Sequence, residues 1–191
     1  MLLTGKEDLR VIKTIEGIKS AFEQLICEKE YEKITVKELC DRARINKKTF
    51  YNYYPALDDL LAEMQMEISS GYIERIKDYK LPDEIEKVNR EFFMYSASKG
   101  LAYDKITCSS GSYSHIRQKM INRVTEATWE KAPAFKRLNP LVKSIIIEHI
   151  NSINVNIYRQ WVADGKKAPI EDMIALSNVL TCRGLNGVFN K

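Results

Sequence analysis

Apolar residues recur every three or four positions along most of the chain, which is the period of an α-helix. In the first such stretch they form one stripe of a helix over residues 8–29: Leu9, Ile12, Ile15, Ile18, Phe22, Leu25 and Ile26. No stretch alternates apolar and polar residues over a useful length, so the pattern predicts no strands. Together with the turn residues that follow Pro82, it predicts an all-α fold of about nine helices.

Two short helices follow the first one. Thr35 and Glu38 have the spacing of a capping box, in which the Thr hydroxyl and the Glu carboxylate each bind a backbone N–H, so a helix should begin there. Its apolar period breaks at Arg44, and Asn46 is a good N-cap for the next helix. The sequence therefore predicts a third helix that runs to about Tyr54, after a tight turn.

A long fourth helix follows Pro55, a residue that suits the first turn of a helix. Its apolar period runs to about Lys80. We therefore expect an N-terminal three-helix domain over residues 1–54 and a helical C-terminal domain over residues 55–191, joined by a connecting helix over residues 55–80.

Two late segments are apolar on most of their circumference. One runs from Leu141 to Val162 and the other over residues 170–189. A helix of this kind has to be buried on more than one side, so we expect both to pack within their own domain and against something else.

The formal net charge is +4, which alone does not identify a nucleic-acid-binding domain. Residues 1–80 carry 14 Lys and Arg against 15 Asp and Glu, whereas residues 81–191 carry 16 against 11. The positive charge is instead concentrated locally, because Arg42, Arg44, Lys47 and Lys48 lie in a stretch without acids.

Several classes of function are disfavoured. The four cysteines form no C-x-x-C pair, and the two histidines have no metal-ligand spacing with them, so we expect free buried thiols, no metal and no cofactor. The sequence has no Gly-rich phosphate loop and no Ser/His/Asp order, which argues against an enzyme. Charges interrupt each apolar run of the first 20 residues, so we expect no signal peptide, no membrane span and a cytoplasmic location.

The two short helices match a helix-turn-helix, whose second helix enters the major groove of DNA. On that helix Phe50 should face the core, and the outer face should present lysines, a tyrosine and an asparagine: Lys47, Lys48, Tyr51 and Asn52. Lysines neutralise phosphates, and an Asn amide can bind adenine through two hydrogen bonds. A DNA-reading surface is the hypothesis these residues favour.

The N-terminal region resembles the TetR family of bacterial transcriptional regulators. The resemblance rests on Ile34-Thr35-Val36, Ala43, Ile45, Thr49-Phe50-Tyr51, Tyr53-Tyr54-Pro55 and Leu60-Leu61. It implies that the following residues lie at the DNA surface: Thr35, Lys47, Lys48, Thr49, Tyr51, Asn52 and Tyr53. Arg44 replaces the family's usual turn glycine, so we expect no positive φ there and an added phosphate contact. Leu57 replaces a usual lysine, which removes one expected phosphate contact.

The same resemblance implies a ligand-binding core and a homodimer formed by the last two long helices. Aromatic and histidine side chains are the candidates for the ligand pocket: Phe92, Phe93, Tyr95, Tyr103, His115 and Trp129. Apolar side chains of the last two helices are the candidates for the dimer interface: Ile150, Ile153, Ile157, Trp161, Ile174 and Leu180.

The resulting expectation is a homodimeric repressor that binds double-stranded DNA at a pseudo-palindromic operator and is released by a small-molecule effector. One alternative keeps the DNA-binding domain but makes the C-terminal domain a protein-binding module, as in a co-activator. An enzyme is the weaker alternative, since only two histidines are available to act near neutral pH.

Overall fold

The computed structural model describes residues 8–108 and 114–189, with side chains for residues 8–108 and 118–183. These residues form ten α-helices, one more than expected, and no strand. The helices are α1 (Leu9–Glu28), α2 (Val36–Ala43), α3 (Lys47–Tyr53), α4 (Leu57–Ile76), α5 (Ile85–Ala97), α6 (Leu101–Cys108), α7 (Ser114–Ala127), α8 (Pro133–Lys136), α9 (Pro140–Ala163) and α10 (Ile170–Phe189). Single 3₁₀ turns occupy Tyr31–Lys33 and Trp129–Lys131. The all-α prediction is confirmed.

The contacts divide the chain into two units, of which the first ends at Ile68 and the second begins at Ser69. The division falls within α4, whereas the sequence places the domain boundary between residues 54 and 55. The start of α4 groups with the first unit because Leu60 and Leu61 are fully buried there. α4 also ends at Ile76 rather than near Lys80, since residues 77–84 form turns.

The first unit has a core supplied by every one of its helices. Its most deeply buried side chains are Ile15, Ile18, Phe22, Leu25, Leu39, Phe50, Tyr54, Leu60 and Leu61. This apolar burial provides most of the stability of α2 and α3, because helices of seven or eight residues are marginal in isolation.

The second unit contains an apolar core and an aromatic cluster. The apolar core includes Trp129, Phe135, Ile146 and Ile150. In the aromatic cluster Phe92, Phe93, Tyr103 and Trp161 surround Tyr158, with ring centroids 5.8–6.4 Å from its own.

Polar groups inside the second unit find partners across helices. Asn154 of α9 donates to Asn89 of α5 at 2.9 Å, and Ser177 of α10 donates to Asn154 at 2.5 Å. The Tyr158 hydroxyl donates to the buried Asp104 carboxylate, which also pairs with Lys166. These bonds fix how α5, α6, α9 and the turn after α9 meet.

None of the four cysteines is in a disulfide, and the expectation of buried thiols holds for Cys40 alone, since the other three are half-buried. No group of His, Cys, Asp or Glu among the described residues could hold a metal ion. Within that same part of the chain, every helix is too short or too polar to cross a membrane.

Candidate nucleic-acid interface

The turn between α2 and α3 depends on Arg44. Its backbone has φ 55° and ψ 43°, the left-handed conformation, and the Ile45 N–H bonds back to the Cys40 carbonyl at 3.0 Å. The expectation that an arginine here excludes a positive φ is therefore wrong. The chain can connect two short helices this tightly only by ending α2 with a left-handed residue, whichever side chain occupies the position.

Arg44→Gly is expected to stabilise the first unit by about 1 kcal/mol, because glycine adopts the left-handed conformation without the steric cost of a Cβ atom. The measurement is thermal unfolding followed by far-UV circular dichroism. Arg44→Ala is the matched control, since it removes the same side chain but keeps the Cβ atom. Equal stability of the two variants would contradict this account of the turn.

Both predicted caps are present. The Thr35 hydroxyl accepts from the Glu38 N–H, and the Glu38 carboxylate accepts from the Thr35 N–H, each at 3.2 Å, which completes the capping box. The Asn46 side chain accepts from the Thr49 N–H at 2.7 Å and begins α3. Local sequence alone therefore determines where both short helices start.

α3 has two chemically distinct faces. Phe50 and Tyr54 are buried, and their rings lie 5.8 Å apart. The opposite face is exposed and carries the four residues predicted there: Lys47, Lys48, Tyr51 and Asn52. The Tyr51 ring packs edge-on against Phe50, so an exposed aromatic side chain is held by a buried one. The inner face fixes the helix, and the outer face is available to a partner.

The remaining predicted DNA-binding residues differ in exposure. Thr35 and Arg44 are exposed, whereas Thr49 and Tyr53 are half-buried. The Thr49 hydroxyl lies 3.1 Å from the Asn46 side-chain oxygen, so its first role is in the helix cap. Leu57, which stands at the usual lysine position, begins α4.

Arg42 does not add to the positive field that the sequence suggests. Its guanidinium forms a two-pronged ion pair with Glu28 of α1, with distances of 2.5 and 2.8 Å. Hydrogen bonding from Arg42 lowers the pKa of Glu28 accordingly. Among the described residues, Arg44, Lys47 and Lys48 form no ion pair, so they carry the exposed charge of the turn and α3.

The candidate pocket residues fall into two groups. Phe92, Phe93 and Tyr103 belong to the aromatic cluster around Tyr158, and Tyr95 contacts Tyr72, whose ring packs against Phe92. Trp129 lies in the apolar core against Phe135 instead. The side chain of His115 lies outside the described residues. The structure thus brings four of the six residues together.

The candidate interface residues differ in how deeply they are buried. Ile150, Trp161 and Ile174 are buried in the second unit, Ile153 and Ile157 are half-buried, and Leu180 is exposed. The three buried residues therefore cannot form an outer surface. Among the side chains that the structure describes, the large apolar ones that α9 and α10 expose are Leu141, Ile145, Leu176, Val179 and Leu180, which we call the exposed apolar set. Of these five, only Leu180 was predicted from the sequence to lie at the interface, although Leu141 and Ile145 stand four residues apart, on one helix face.

Comparisons with known proteins agree with this description of the first unit. Residues 18–64 match the family model of bacterial regulatory proteins, tetR family. The chain is 29% identical over 96 residues to the uncharacterized HTH-type transcriptional regulator YxbF of Bacillus subtilis (strain 168). That alignment covers 50% of this chain and 23% of YxbF, so the chain spans about a quarter of the length of this relative.

Two solved structures resemble most of the chain. The fatty acid degradation regulator FadR from Bacillus halodurans superposes with a TM-score of 0.67 at 15% identity, covering 92% of this chain and 96% of that one. The transcriptional regulator FadR from Bacillus subtilis, in complex with stearoyl-CoA, gives a TM-score of 0.64 at 19% identity, with coverages of 87% and 95%. At these identities the likeness shows the fold.

Proposed function

We propose that this protein is a regulator of the tetR family, whose family model matches residues 18–64, and that it regulates transcription by binding a pseudo-palindromic DNA operator as a homodimer. The observation that supports this proposal most directly is the difference between the two faces of α3. Its inner face is anchored by Phe50 and Tyr54, and its outer face presents side chains suited to DNA. A helix of this size fits the major groove.

Different side chains on the outer face of α3 are proposed to contact the phosphates and the bases of the DNA. Lys47 and Lys48 supply the attraction to phosphates, which is independent of sequence and depends on salt. Asn52 supplies hydrogen bonds to base edges, and Tyr51 supplies a hydroxyl and an apolar ring that can pack on a thymine methyl. At the start of α2, beside the exposed Thr35, the N–H groups of the first turn that the capping box does not use would donate to a phosphate.

The proposed dimer uses the exposed apolar set of α9 and α10. Its five members are each at least 45% exposed in the single chain, an unfavourable arrangement for side chains of this type unless another surface covers them. A second copy related by a two-fold axis would cover the same residues on both chains. It would also present two α3 helices to the two half-sites of an operator.

A small-molecule effector completes the proposal. The similar FadR from Bacillus subtilis was solved in complex with stearoyl-CoA, and the second unit of this chain shares its helical fold. The aromatic cluster around Tyr158 offers apolar walls, and the Asp104 and Lys166 ion pair at 2.7 Å offers a polar group beside them. A ligand would act by binding one conformation of the dimer more tightly than the other.

A protein partner for the second unit is the second candidate. The observation that favours it is the mutual packing of the candidate pocket residues, since Phe93 is fully buried among its aromatic neighbours. Thermal shift screening against acyl-CoA thioesters and other small molecules separates the two candidates. A ligand that raises the unfolding midpoint and lowers operator affinity supports an effector, and a co-activator role predicts no such ligand.

The experiment that tests DNA recognition is selection of duplexes from a random pool at about 150 mM salt, the physiological range. We expect an inverted repeat to be enriched by the parent and to be lost or altered with Tyr51→Ala. Met66→Ala removes an exposed side chain from α4 and serves as the control. A folded, dimeric parent that enriches no sequence would overturn the proposal.

Lys48→Ala is expected to weaken binding to all duplexes and to lower the slope of log affinity against log salt by about one, since one phosphate contact is lost. The measurement is fluorescence anisotropy at several salt concentrations, on the selected operator and on a scrambled duplex. Lys87→Ala removes the same charge from the second unit and should leave the slope unchanged. Loss of affinity on the operator alone would assign Lys48 to base recognition instead.

A further inference from the structure

Tyr54 follows α3 directly and places a polar group in the core of the first unit. Its side chain is 1% exposed, and its ring packs against Phe50. Its hydroxyl donates a hydrogen bond to the Glu63 carboxylate of α4 at 3.0 Å. Burial, followed by the charge of Glu67, raises the pKa of Tyr54 to about 12, so the hydroxyl keeps its proton near neutral pH.

Glu63 is itself a buried acid, with 7% of its surface exposed. The Lys19 ammonium of α1 lies 3.0 Å from the Glu63 carboxylate and also pairs with Glu67. The three side chains therefore join α1, the end of α3 and α4 in one chain of charge-assisted bonds, which we call the Tyr54–Glu63–Lys19 network.

Apolar side chains could fill this part of the core at a lower cost in free energy. Removing a carboxylate and a hydroxyl from water costs free energy that their mutual bonds only partly return, and well-packed apolar residues often stabilise a fold as well or better. Phenylalanine at position 54 would preserve the ring contact with Phe50 without burying a hydroxyl. The polar network adds a constraint on the orientation of α3, because hydrogen bonds and ion pairs require particular angles and apolar contacts do not.

This constraint on orientation matters because α3 is only seven residues long. A helix this short takes its orientation from the side chains that anchor it, and base-edge contacts require placement within about 0.5 Å. Phe50 anchors α3 within its length, and Tyr54 anchors the end where the chain leaves for α4.

We propose that the Tyr54–Glu63–Lys19 network holds α3 at the angle required for base recognition, so that Tyr54 and Glu63 are positioning residues for sequence-specific DNA binding. The inference rests on the proposed function. Neither residue needs to touch DNA. Phosphate attraction tolerates small rotations of α3, whereas paired hydrogen bonds to a base do not, so the network should control specificity more than overall affinity.

The test compares Tyr54→Phe with the parent on the selected operator and on a scrambled duplex, by fluorescence anisotropy. We expect the ratio of operator to scrambled affinity to fall roughly tenfold, the size expected when one hydrogen bond to a charged group is lost. Affinity for the scrambled duplex and the salt slope should change little. A purely structural role would lower the unfolding midpoint and leave this ratio unchanged.

Tyr31→Phe is the matched control, because the Tyr31 hydroxyl also donates to a carboxylate of α4, that of Asp58, but lies outside α3. It should keep the parent's affinity ratio. Glu63→Gln retains an acceptor for Tyr54 but loses the attraction of Lys19, so we expect a smaller loss of the ratio, roughly threefold.

The outcomes separate this inference from the function on which it rests. If the parent prefers no sequence, the proposed function fails and the inference fails with it. If the parent is selective and both variants keep its affinity ratio, the function stands and the positioning role is overturned. If Tyr54→Phe does not fold, Glu63→Gln decides, and failure of both to fold would show that the network maintains the fold rather than the angle of α3.

Discussion

Leu180→Glu is expected to convert the proposed dimer to a monomer and to reduce affinity for the operator by about 100-fold or more. Leu180 is 48% exposed on α10 in the single chain, so a charge there leaves the core of the second unit intact. In a two-fold dimer the substitution occurs on both chains and buries two carboxylates among apolar side chains, which costs several kcal/mol. A monomer presents one α3 to one half-site and loses the gain in affinity from binding two.

Analytical ultracentrifugation across a range of protein concentrations measures the dimer, and anisotropy on the selected operator measures the DNA complex. Leu101→Glu is the matched control, because Leu101 is also exposed, at 57%, but lies on α6. It should leave both measurements unchanged. A Leu180→Glu protein that remains dimeric would remove α10 from the proposed interface, and Ile145→Glu would then test α9 alone.

Asn52→Ala is expected to relax base preference and to lower operator affinity by roughly 1 to 3 kcal/mol, about 5- to 150-fold, the value of one paired contact to a base. Asn52 is exposed on α3, and the substitution leaves the buried Phe50 and Tyr54 in place, so stability should change little. The loss should be confined to the operator, since the phosphate contacts of the lysines remain.

Competition between single-base variants of the operator identifies the position that Asn52 reads. For the parent, one base pair per half-site should show a strong preference that Asn52→Ala abolishes. Lys48→Ala provides the contrast, because it should weaken all variants alike. Equal loss on every sequence with Asn52→Ala would remove this residue from base recognition and leave Tyr51 as the remaining candidate.

Most of the first unit could be predicted because its signals are local. The stripe of apolar residues gives α1, the Thr35 capping box starts α2, and Asn46 starts α3. Each signal lies within about one helical turn of the feature it determines, so a single sequence is enough. The outer face of α3 follows from the same periodicity, once Phe50 is assigned to the core.

Apart from the local backbone of Arg44, the wrong predictions concern contacts between residues far apart in sequence. The sequence predicts an unpaired cation at Arg42, whereas in the structure its guanidinium pairs with Glu28 of α1. Ile150, Trp161 and Ile174 read as interface residues because a helix that is apolar all round does not show which face its own unit covers. The assignment of faces depends on where α5 and α6 pack, which the sequence of α9 and α10 does not encode.

The sequence by itself thus determined the helical class, the starts of the short helices and the chemistry of the α3 surface, because periodicity and capping act over a few residues. Only the tertiary structure decided the neutralisation of Arg42, the exposed apolar set of α9 and α10, and the buried bond from Tyr54 to Glu63. Each of these features depends on contacts between segments far apart in sequence. Burial and pairing therefore cannot be assigned to a residue from its local sequence.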